Sequence, residues 1–211
     1  KKYILNGYKR DHFQRNYISN GIKDANQGDM IIVSDIDEIP NLEKLDFRKI
    51  QDDLILFNQK MCYYKFNLYQ KNYNWTGSRA CKKKNLLSPQ WIRDIKPKKY
   101  SKWRLDTYLS KHKYSNISFI NNGGWHFSYL NTPELIEQKL KSYTHHREYD
   151  LNPLGIENIE NRIKNRTSVY NLSSDKRDNQ FAEGVKLAVM DNEDLPSYIY
   201  QNLNQYKEWL A

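Results

Sequence analysis

The sequence predicts an α/β fold with a mainly parallel central sheet, formed by one domain over residues 1–211. Stretches typical of strands alternate with stretches typical of helices, and this alternation is the pattern of α/β proteins. The run Met30–Val33 is apolar and largely β-branched, as in a strand that is covered on both faces. No internal repeat and no Gly/Ser-rich or Pro-rich linker offers a domain boundary.

The first half of the chain predicts a helix that leads into the strand Met30–Val33. Residues 2–5 favour a short strand, and residues 8–27 place apolar side chains on one helical stripe that Gly28 ends. Pro40 suits the first turn of a short helix. Residues 54–69 are rich in apolar and aromatic side chains and predict one or two strands.

The second half predicts a basic surface segment followed by strands and helices. Residues 73–114 are rich in lysine and in loop-forming sequences, and we expect them to form surface structure or a flap. Residues 117–120 and 125–130 have the composition of strands. Pro133 predicts the start of one helix, and Pro196 predicts a last helix with apolar side chains at helical spacing.

Composition excludes several classes of protein without naming a function. Aromatic residues make up 14% of the 211 residues, which is not the composition of a disordered chain. The apolar stretches are far shorter than the roughly 20 residues that span a bilayer, and no segment of signal-peptide length predicts a compartment. The net charge of +9 permits attraction to phosphate, nucleic acid or an anionic membrane. The two cysteines, without a Cys/His cluster, do not indicate zinc.

The most informative motif is a pair of carboxylates, Asp35 and Asp37, that follows the apolar strand. Their i, i+2 spacing aims both toward one side at the carboxyl end of the strand, where α/β proteins bind ligands. Glu38 adds a third carboxylate, and three such groups repel one another unless a cation or basic groups neutralise them. The motif indicates a divalent cation site. The alternative is that these residues only solubilise the strand end or cap a helix.

Basic residues later in the chain offer a complement for phosphate. Arg79, Lys82 and Lys84 could cover the charge of a diphosphate while a divalent metal bridges carboxylate and phosphate. Such an arrangement is a nucleotide-diphosphate site. The alternative is a solvated basic face without a ligand.

A second motif surrounds one histidine with glycines and aromatic residues, in the order Gly123-Gly124-Trp125-His126-Phe127-Ser128. Alternation along a strand would place His126 and Ser128 on one face and the aromatic residues on the other. The glycines allow a backbone or ligand to come close. His126 is thus a candidate ligand, and the alternative is a hydrogen-bonded core histidine.

Together these motifs resemble glycosyltransferase family 17. The resemblance rests on Ser34-Asp35-Ile36-Asp37-Glu38-Ile39-Pro40, on Gln14-Arg15-Asn16 before it, on residues 124–129, and on Leu195-Pro196 near the end. The order and separation of these segments also fit, so the resemblance covers most of the chain. That family includes the β-1,4-mannosyl-glycoprotein β-1,4-N-acetylglucosaminyltransferases.

The resemblance implies a GT-A fold, whose DxD motif holds Mn²⁺ or Mg²⁺ against the diphosphate of a nucleotide sugar, here expected to be a UDP-sugar. The metal role falls chiefly to Asp37, with Asp35 near the ribose or sharing the ion, and His126 matches a late histidine ligand. Family members invert the anomeric carbon, so a general base should deprotonate the acceptor hydroxyl. Glu38 is the candidate base, with Glu134 as the alternative. The expected reaction transfers N-acetylglucosamine or a related hexose to a glycan or glycoconjugate.

One departure from the GT-A pattern concerns the nucleobase. GT-A enzymes usually place a strand and helices for the nucleobase some tens of residues before the DxD strand, whereas one predicted strand and one helix precede it here. We therefore expect part of the nucleotide pocket to be missing. Truncation, upstream residues that are not included, and a reduced relative with altered donor binding are the three explanations.

Two other functions compete with this interpretation. A haloacid-dehalogenase-type phosphatase also carries an Asp-x-Asp sequence after an apolar strand, but Ile39 stands where that family has Thr or Val. A basic nucleic-acid-binding domain would use the many Tyr and Trp side chains as stacking platforms. That second alternative leaves the clustered carboxylates unexplained, so nucleic acid is not the expected partner.

Overall fold

The computed structural model describes residues 2–43, 45–143, 146–172 and 184–211. The chain divides into two compact units. The first unit comprises Lys1–Gln59 and Asn74–His126, and the second comprises Lys60–Tyr73 and Phe127–Ala211. Both units contain helices and strands, so the class is α/β as predicted.

The part of the first unit that the structure describes contains three α-helices. They are α1 (Lys2–Tyr17), α2 (Pro89–Asp94) and α3 (Leu105–Leu109), with 3-10 turns at Ile18–Ile22, Phe47–Lys49 and Lys83–Asn85. The start of α2 is fixed by Ser88, whose hydroxyl accepts from the N–H of Trp91 at 3.0 Å, and by Pro89 in the first turn.

The strand predicted at residues 2–5 is wrong, because these residues form the beginning of α1. No proline separates them from the helix-forming residues that follow, so helix formation extends to the start. The α-helix ends at Tyr17 rather than at Gly28. The predicted apolar stripe is also solvated in part, since Phe13 and Tyr17 are exposed.

The strands are paired in a mixed sheet. They are β1 (Met30–Val33), β2 (Glu38–Pro40), β3 (Leu54–Tyr63), β4 (Leu68–Lys82), β5 (Ile117–Ile120), β6 (Gly124–Ser128) and β7 (Ala188–Val189). The order is β1-β4-β3-β6-β2, with β5 beside β3 and β7 beside β4. The strands predicted at residues 54–69, 117–120 and 125–130 are confirmed.

The expectation of a mainly parallel sheet is wrong. β3 and β5 run parallel, whereas β1 with β4, β2 with β6, and β4 with β7 run antiparallel. The connection between β3 and β4 is only residues 64–67, and so short a connection joins antiparallel strands. β1 lies at one end of the strand order.

The core of the first unit covers both faces of β1. Ile31 and Val33 pack with a cluster that includes Leu56, Cys81 and Ile92. Met30 and Ile32, which are partly buried, pack against a second cluster around Ile55, Phe57 and Ala80. Burial of the strand up to Val33 brings the acidic residues that follow it to the edge of the core.

The predicted surface segment at residues 73–114 is correct only in part. β4 continues to Lys82, and its residues 78–81 are buried. Exposed residues occur before α2 at Lys82, Lys84 and Leu87, and after it at residues 96–99 and 101–105. The tightly packed end of β4 carries serine and arginine among apolar residues, which gives it the composition of a loop.

The second unit contains four α-helices among its described residues. They are α4 (Pro133–Ser142), α5 (His146–Leu151), α6 (Ile156–Lys164) and α7 (Ser197–Gln201). The helix predicted from Pro133 is confirmed, with Ile136 and Leu140 buried. The last predicted helix begins after Pro196 but ends early, because the Asn202 side-chain amide donates to the carbonyl of Tyr198 at 2.7 Å and stops it. Of the helices described, none combines the length and hydropathy that a membrane span needs.

Candidate functional site

The acidic motif lies in the loop that joins β1 to β2. The chain turns there because the N–H of Glu38 donates to the carbonyl of Asp35 at 3.0 Å. The hydroxyls of Ser34 and Ser78 lie 2.7 Å apart and tie the start of the loop to β4. Both ends of this loop are thus fixed by the sheet.

The short helix predicted at Pro40 is wrong, because Pro40 is the last residue of β2. It lies opposite Gly124 of β6. β2 is at the end of the strand order, and a proline is tolerated in such a strand because its missing N–H faces away from the neighbouring strand.

Glu38 is the centre of a buried hydrogen-bond network. Its side chain is fully buried. One carboxylate oxygen accepts from the N–H of Asp35 at 3.1 Å and from Arg93 at 2.8 Å. The other accepts from the indole N–H of Trp75 at 2.8 Å and from Arg93 at 2.9 Å. A general base must reach the proton that it removes, so this arrangement does not favour Glu38 as the base.

Arg93, near the end of α2, holds the loop from the other side. Its Nη2 donates to Asp35 at 2.8 Å and its Nη1 donates to the carbonyl of Gly77 at 2.6 Å. Burial opposes the positive charge, but the hydrogen bonds and negative charges of Glu38 and Asp35 outweigh it and raise the pKa of Arg93. The guanidinium therefore stays charged and keeps two carboxylates close together.

Asp35 is held between two arginines. One oxygen accepts from Arg93, and the other accepts from Arg15 of α1 at 3.2 Å. Arg15 is itself oriented by a 2.6 Å hydrogen bond to the side chain of Gln90 on α2. The carboxylate of Asp35 is 37% exposed. The carboxylate of Asp35 is therefore accessible to a ligand, but the two arginines already balance its negative charge.

Asp37 and His126 are brought together by strand pairing. Glu38 of β2 lies directly opposite His126 of β6, so the residue just before β2 comes close to that imidazole. His126 Nε2 lies 3.4 Å from Asp37 Oδ1. The imidazole stacks on the Trp75 indole with ring centroids 5.0 Å apart. His126 is thus supported by an aromatic ring, as a core histidine would be, and also faces a carboxylate.

The pair of Asp37 and His126 fits a divalent cation. Two ligands of one cation, each about 2.1 Å from it, lie about 3 Å apart, which is close to the distance seen here. Within the described ranges, no group of three or more His, Cys, Asp or Glu side chains is arranged to hold a metal. Mg²⁺ commonly takes one or two protein ligands and completes its shell with substrate phosphates and water.

Arg79 does not lie where a phosphate ligand would need it. Its side chain is buried and donates to the carbonyls of Ile92, Arg93 and Ile95 at the end of α2. Burial, together with the nearby charge of Arg93, lowers the pKa of Arg79 to about 10. Arg79 therefore stabilises the end of α2, where an arginine satisfies carbonyls that have no partner in the helix.

Lys82 and Lys84 are exposed and lie at the other end of β1 from the acidic loop. Lys82 is opposite Met30, whereas Arg79 is opposite Val33, and three strand residues span about 10 Å. The structure does not bring these lysines to Asp35 and Asp37.

Glu134, the alternative candidate base, belongs to the second unit. Hydrogen bonds from Thr132 and from its own backbone lower the pKa of Glu134 and make it a weaker base.

Sequence reasoning missed three residues that build the site: Trp75, Gly77 and Arg93. The carbonyl of Gly77 accepts a hydrogen bond from Arg93, and the backbone there has no room for a side chain. A Cβ there would overlap Gln59 and come within 2.8 Å of the Glu38 carboxyl carbon. The Ser88-Pro89 pair signals the start of α2, but nothing in the sequence distinguishes Arg93 from its many basic neighbours.

Comparison with known proteins gives one match. The model of glycosyltransferase family 17 matches residues 1–211. No curated protein and no solved structure matches the chain. The match favours the glycosyltransferase interpretation over the phosphatase and nucleic-acid alternatives. Since the match covers the full 211 residues, the chain belongs to glycosyltransferase family 17.

Proposed function

We propose that this glycosyltransferase is a metal-dependent, inverting enzyme of a GT-A-like fold. It transfers N-acetylglucosamine or a related hexose from a nucleotide sugar, chiefly a UDP-sugar, to a hydroxyl of a glycan or glycoconjugate. The observation that carries the proposal is the 3.4 Å approach of Asp37 to His126, beside a carboxylate pair whose charge is held by arginine.

The charges of the loop support a cation between Asp37 and the donor. Asp35, Asp37 and Glu38 contribute three negative charges, and Arg15 and Arg93 contribute two positive ones within the same network. Asp37 lies beside this network and faces the His126 imidazole. A divalent cation placed there can be attracted by the site and can still attract a diphosphate.

Asp37 and His126 would hold Mn²⁺ or Mg²⁺, and a mixed carboxylate and imidazole pair suits Mn²⁺ well. Such an ion would neutralise the negative charge that develops on the leaving diphosphate. Asp35 presents a partly exposed carboxylate that can accept a hydrogen bond from a ribose hydroxyl. Trp75 orients the imidazole, and Glu38 and Arg93 fix the loop, so Glu38 is not proposed as the base.

The experiment that tests the proposal is a donor screen with and without metal. Release of UDP from UDP-sugars is measured with Mn²⁺, with Mg²⁺ and with excess EDTA, and the anomeric configuration of the product is determined by NMR. We expect turnover to require a divalent cation and the product to be inverted. Full turnover in EDTA would contradict the metal, and retention would contradict the stereochemistry.

The role of Asp37 is tested with a matched control. Asp37→Asn keeps the shape of the side chain and removes its charge, so we expect turnover to fall about a hundredfold or more with the thermal midpoint near that of the native chain. Asp46→Asn changes a carboxylate that pairs with the exposed Arg48, and it should turn over normally. Equal activities for these two variants would rule out Asp37 as the metal ligand.

A further inference from the structure

A basic and apolar loop on the surface lies outside the residues that we assign to the transferase site. This basic loop, residues 96–113, contains seven Lys or Arg residues and one Asp, so it carries six of the nine net positive charges of the chain. It lies wholly in the first unit and includes α3. The only carboxylate in it, Asp106, accepts from Arg104 and Lys113 at 2.8 Å each.

Large apolar side chains of the same loop face solvent. Trp103, Leu105, Tyr108 and Leu109 are 75 to 93% exposed. Leu105, Tyr108 and Leu109 have the i, i+3, i+4 spacing that places side chains on one face of a helix. Large apolar side chains usually face the core, so their shared exposure indicates a surface that binds another molecule or a membrane.

The basic loop is anchored at its base and is therefore a defined surface. The N–H of Lys96 donates to the carbonyl of His112 at 2.8 Å, and the N–H of Tyr100 donates to the carbonyl of Tyr114 at 3.1 Å. The indole N–H of Trp91, whose side chain is buried, donates to the carbonyl of Lys111 at 2.8 Å. These bonds close the loop while its tip stays solvated.

The cations are arranged around one aromatic ring and along the tip. Lys98, Arg104 and Lys113 lie 5.4 to 5.8 Å from the ring of Tyr100. The side chains of Lys98, Lys102 and Lys111 are also exposed. Positive charge therefore borders the exposed apolar face of α3.

We infer that the basic loop docks the protein onto the surface of an anionic lipid bilayer. Trp and Leu side chains enter the boundary between headgroups and acyl chains, and Lys and Arg meet the anionic headgroups, which is the recognised composition of interfacial segments. A nucleic acid would satisfy the lysines but offers no apolar phase for Leu105 and Leu109. A second copy of the chain would bring a like charge of +6 against this one.

Vesicle sedimentation tests this inference on the intact chain. One set of vesicles is phosphatidylcholine alone, and the other contains about 30% phosphatidylserine. We expect binding to the anionic vesicles and little binding to the neutral ones. Replacing Lys98, Lys102 and Lys111 by Gln should lower the partition coefficient about a hundredfold, since each charge near the surface contributes about fivefold.

An apolar variant separates a membrane from a simple polyanion. Trp103→Ser, Leu105→Ser and Leu109→Ser together keep every charge, and we expect about a tenfold or larger loss of binding. The control replaces three exposed lysines outside the loop, Lys9, Lys71 and Lys164, by Gln and should bind much more tightly than the variant of Lys98, Lys102 and Lys111. All substituted side chains are solvated, so the thermal midpoints should agree.

Three results would overturn the inference. The native chain could fail to bind anionic vesicles, the apolar variant could bind as well as the native chain, or a single-stranded oligonucleotide could bind through the same lysines more tightly than the vesicles. We expect turnover of soluble UDP-sugar not to depend on these residues, and it is measured in parallel. Loss of vesicle binding with normal turnover would leave the proposed function in place, and vesicle binding without turnover would leave the membrane inference in place.

Discussion

Arg93 donates two hydrogen bonds to Glu38, at 2.8 and 2.9 Å, and both side chains are buried where β2 begins. Arg93 also reaches Asp35, so one guanidinium connects the two ends of the acidic loop. A bidentate pair of this kind fixes orientation as well as distance. The position of Asp37 between these two carboxylates follows from this pair.

Arg93→Lys should therefore destabilise the protein. Lysine keeps the charge but cannot form the planar fork, and a buried ion pair that loses its geometry leaves desolvated charge uncompensated. We expect the free energy of unfolding to fall by about 2 to 4 kcal/mol, measured by urea denaturation. Arg48→Lys is the control, because Arg48 pairs with Asp46 while 91% exposed. Equal losses in both variants would contradict the structural role of the fork.

Glu38→Gln separates a structural carboxylate from a catalytic base. The amide would turn an N–H group toward Arg93 or Trp75, which are both donors, so we expect a loss of about 2 kcal/mol in unfolding free energy. Catalysis should fall mainly because the loop is displaced, so the pH profile of the residual turnover should keep its shape. A chain of native stability whose turnover loses its acidic limb would instead restore Glu38 as the general base.

Local patterns predicted much of the fold. The apolar run of β1, the aromatic strands β3 and β6, and the start of α4 at Pro133 all follow from short-range spacing. The antiparallel orientation of most paired strands could not be predicted from these patterns, because it depends on which strands pair. The end of β4 was predicted as surface structure. Arg79 suggests a surface residue in the sequence, but in the structure it is buried against helix carbonyls.

The site was predicted in its parts but not in its connections. Asp35 and Asp37 stand out because of their position after an apolar strand. The contact of Asp37 with His126 depends on the pairing of β2 with β6, which joins residues that are distant in the sequence. Arg93 could not be chosen by sequence, since its function depends on the three-dimensional position of α2.

Gly77→Ala, a substitution in β4, should destabilise the network of Glu38 and Arg93. The added Cβ would overlap the side-chain oxygen of the buried Gln59 and press on the carboxyl group of Glu38. Inserting a methyl group into a packed site costs about 1 to 3 kcal/mol, and thermal unfolding should show it. Gly21→Ala is the matched control, because nothing lies within 4 Å of its Cβ position. Similar midpoints for both variants would mean that Gly77 is not constrained.

Stability should fall at alkaline pH because buried thiol and phenol groups resist ionisation. Burial, with a further contribution from Asp53, raises the pKa of Cys81 from 9.0 to about 12. The folded chain therefore holds a proton that the unfolded chain releases above pH 9, so this contribution is full below pH 9 and is lost as pH rises toward 12. The slope is about 1.4 kcal/mol per pH unit for one such group.

Cys81→Ala isolates this contribution. Urea unfolding of the native chain and the variant is compared at several values of pH across this range. The unfolding free energy of the variant should fall less steeply, and the two curves should converge as pH rises. Parallel curves would show that the thiol of Cys81 ionises equally in the folded and unfolded chains.

Trp75 has two separable contacts, and two substitutions distinguish them. The indole N–H donates to Glu38 at 2.8 Å, while the ring stacks on the imidazole of His126. Trp75→Phe removes the N–H and keeps an aromatic face, so it leaves one buried acceptor site of Glu38 unmet at a cost of about 1 to 2 kcal/mol. The thermal midpoint should fall by about 2 to 6 °C, with Mn²⁺ affinity in the presence of UDP nearly unchanged.

Trp75→Leu removes both contacts and leaves the imidazole without its support. Groups that orient a metal-binding histidine commonly contribute tenfold or more to metal affinity, so calorimetry should show Mn²⁺ binding about tenfold weaker than in the Phe variant. The comparison between Phe and Leu is informative because both lack the N–H, which makes the loss at Glu38 common to them. Equal Mn²⁺ affinities in the two variants would mean that stacking does not orient His126, and would weaken its assignment as a metal ligand beside Asp37.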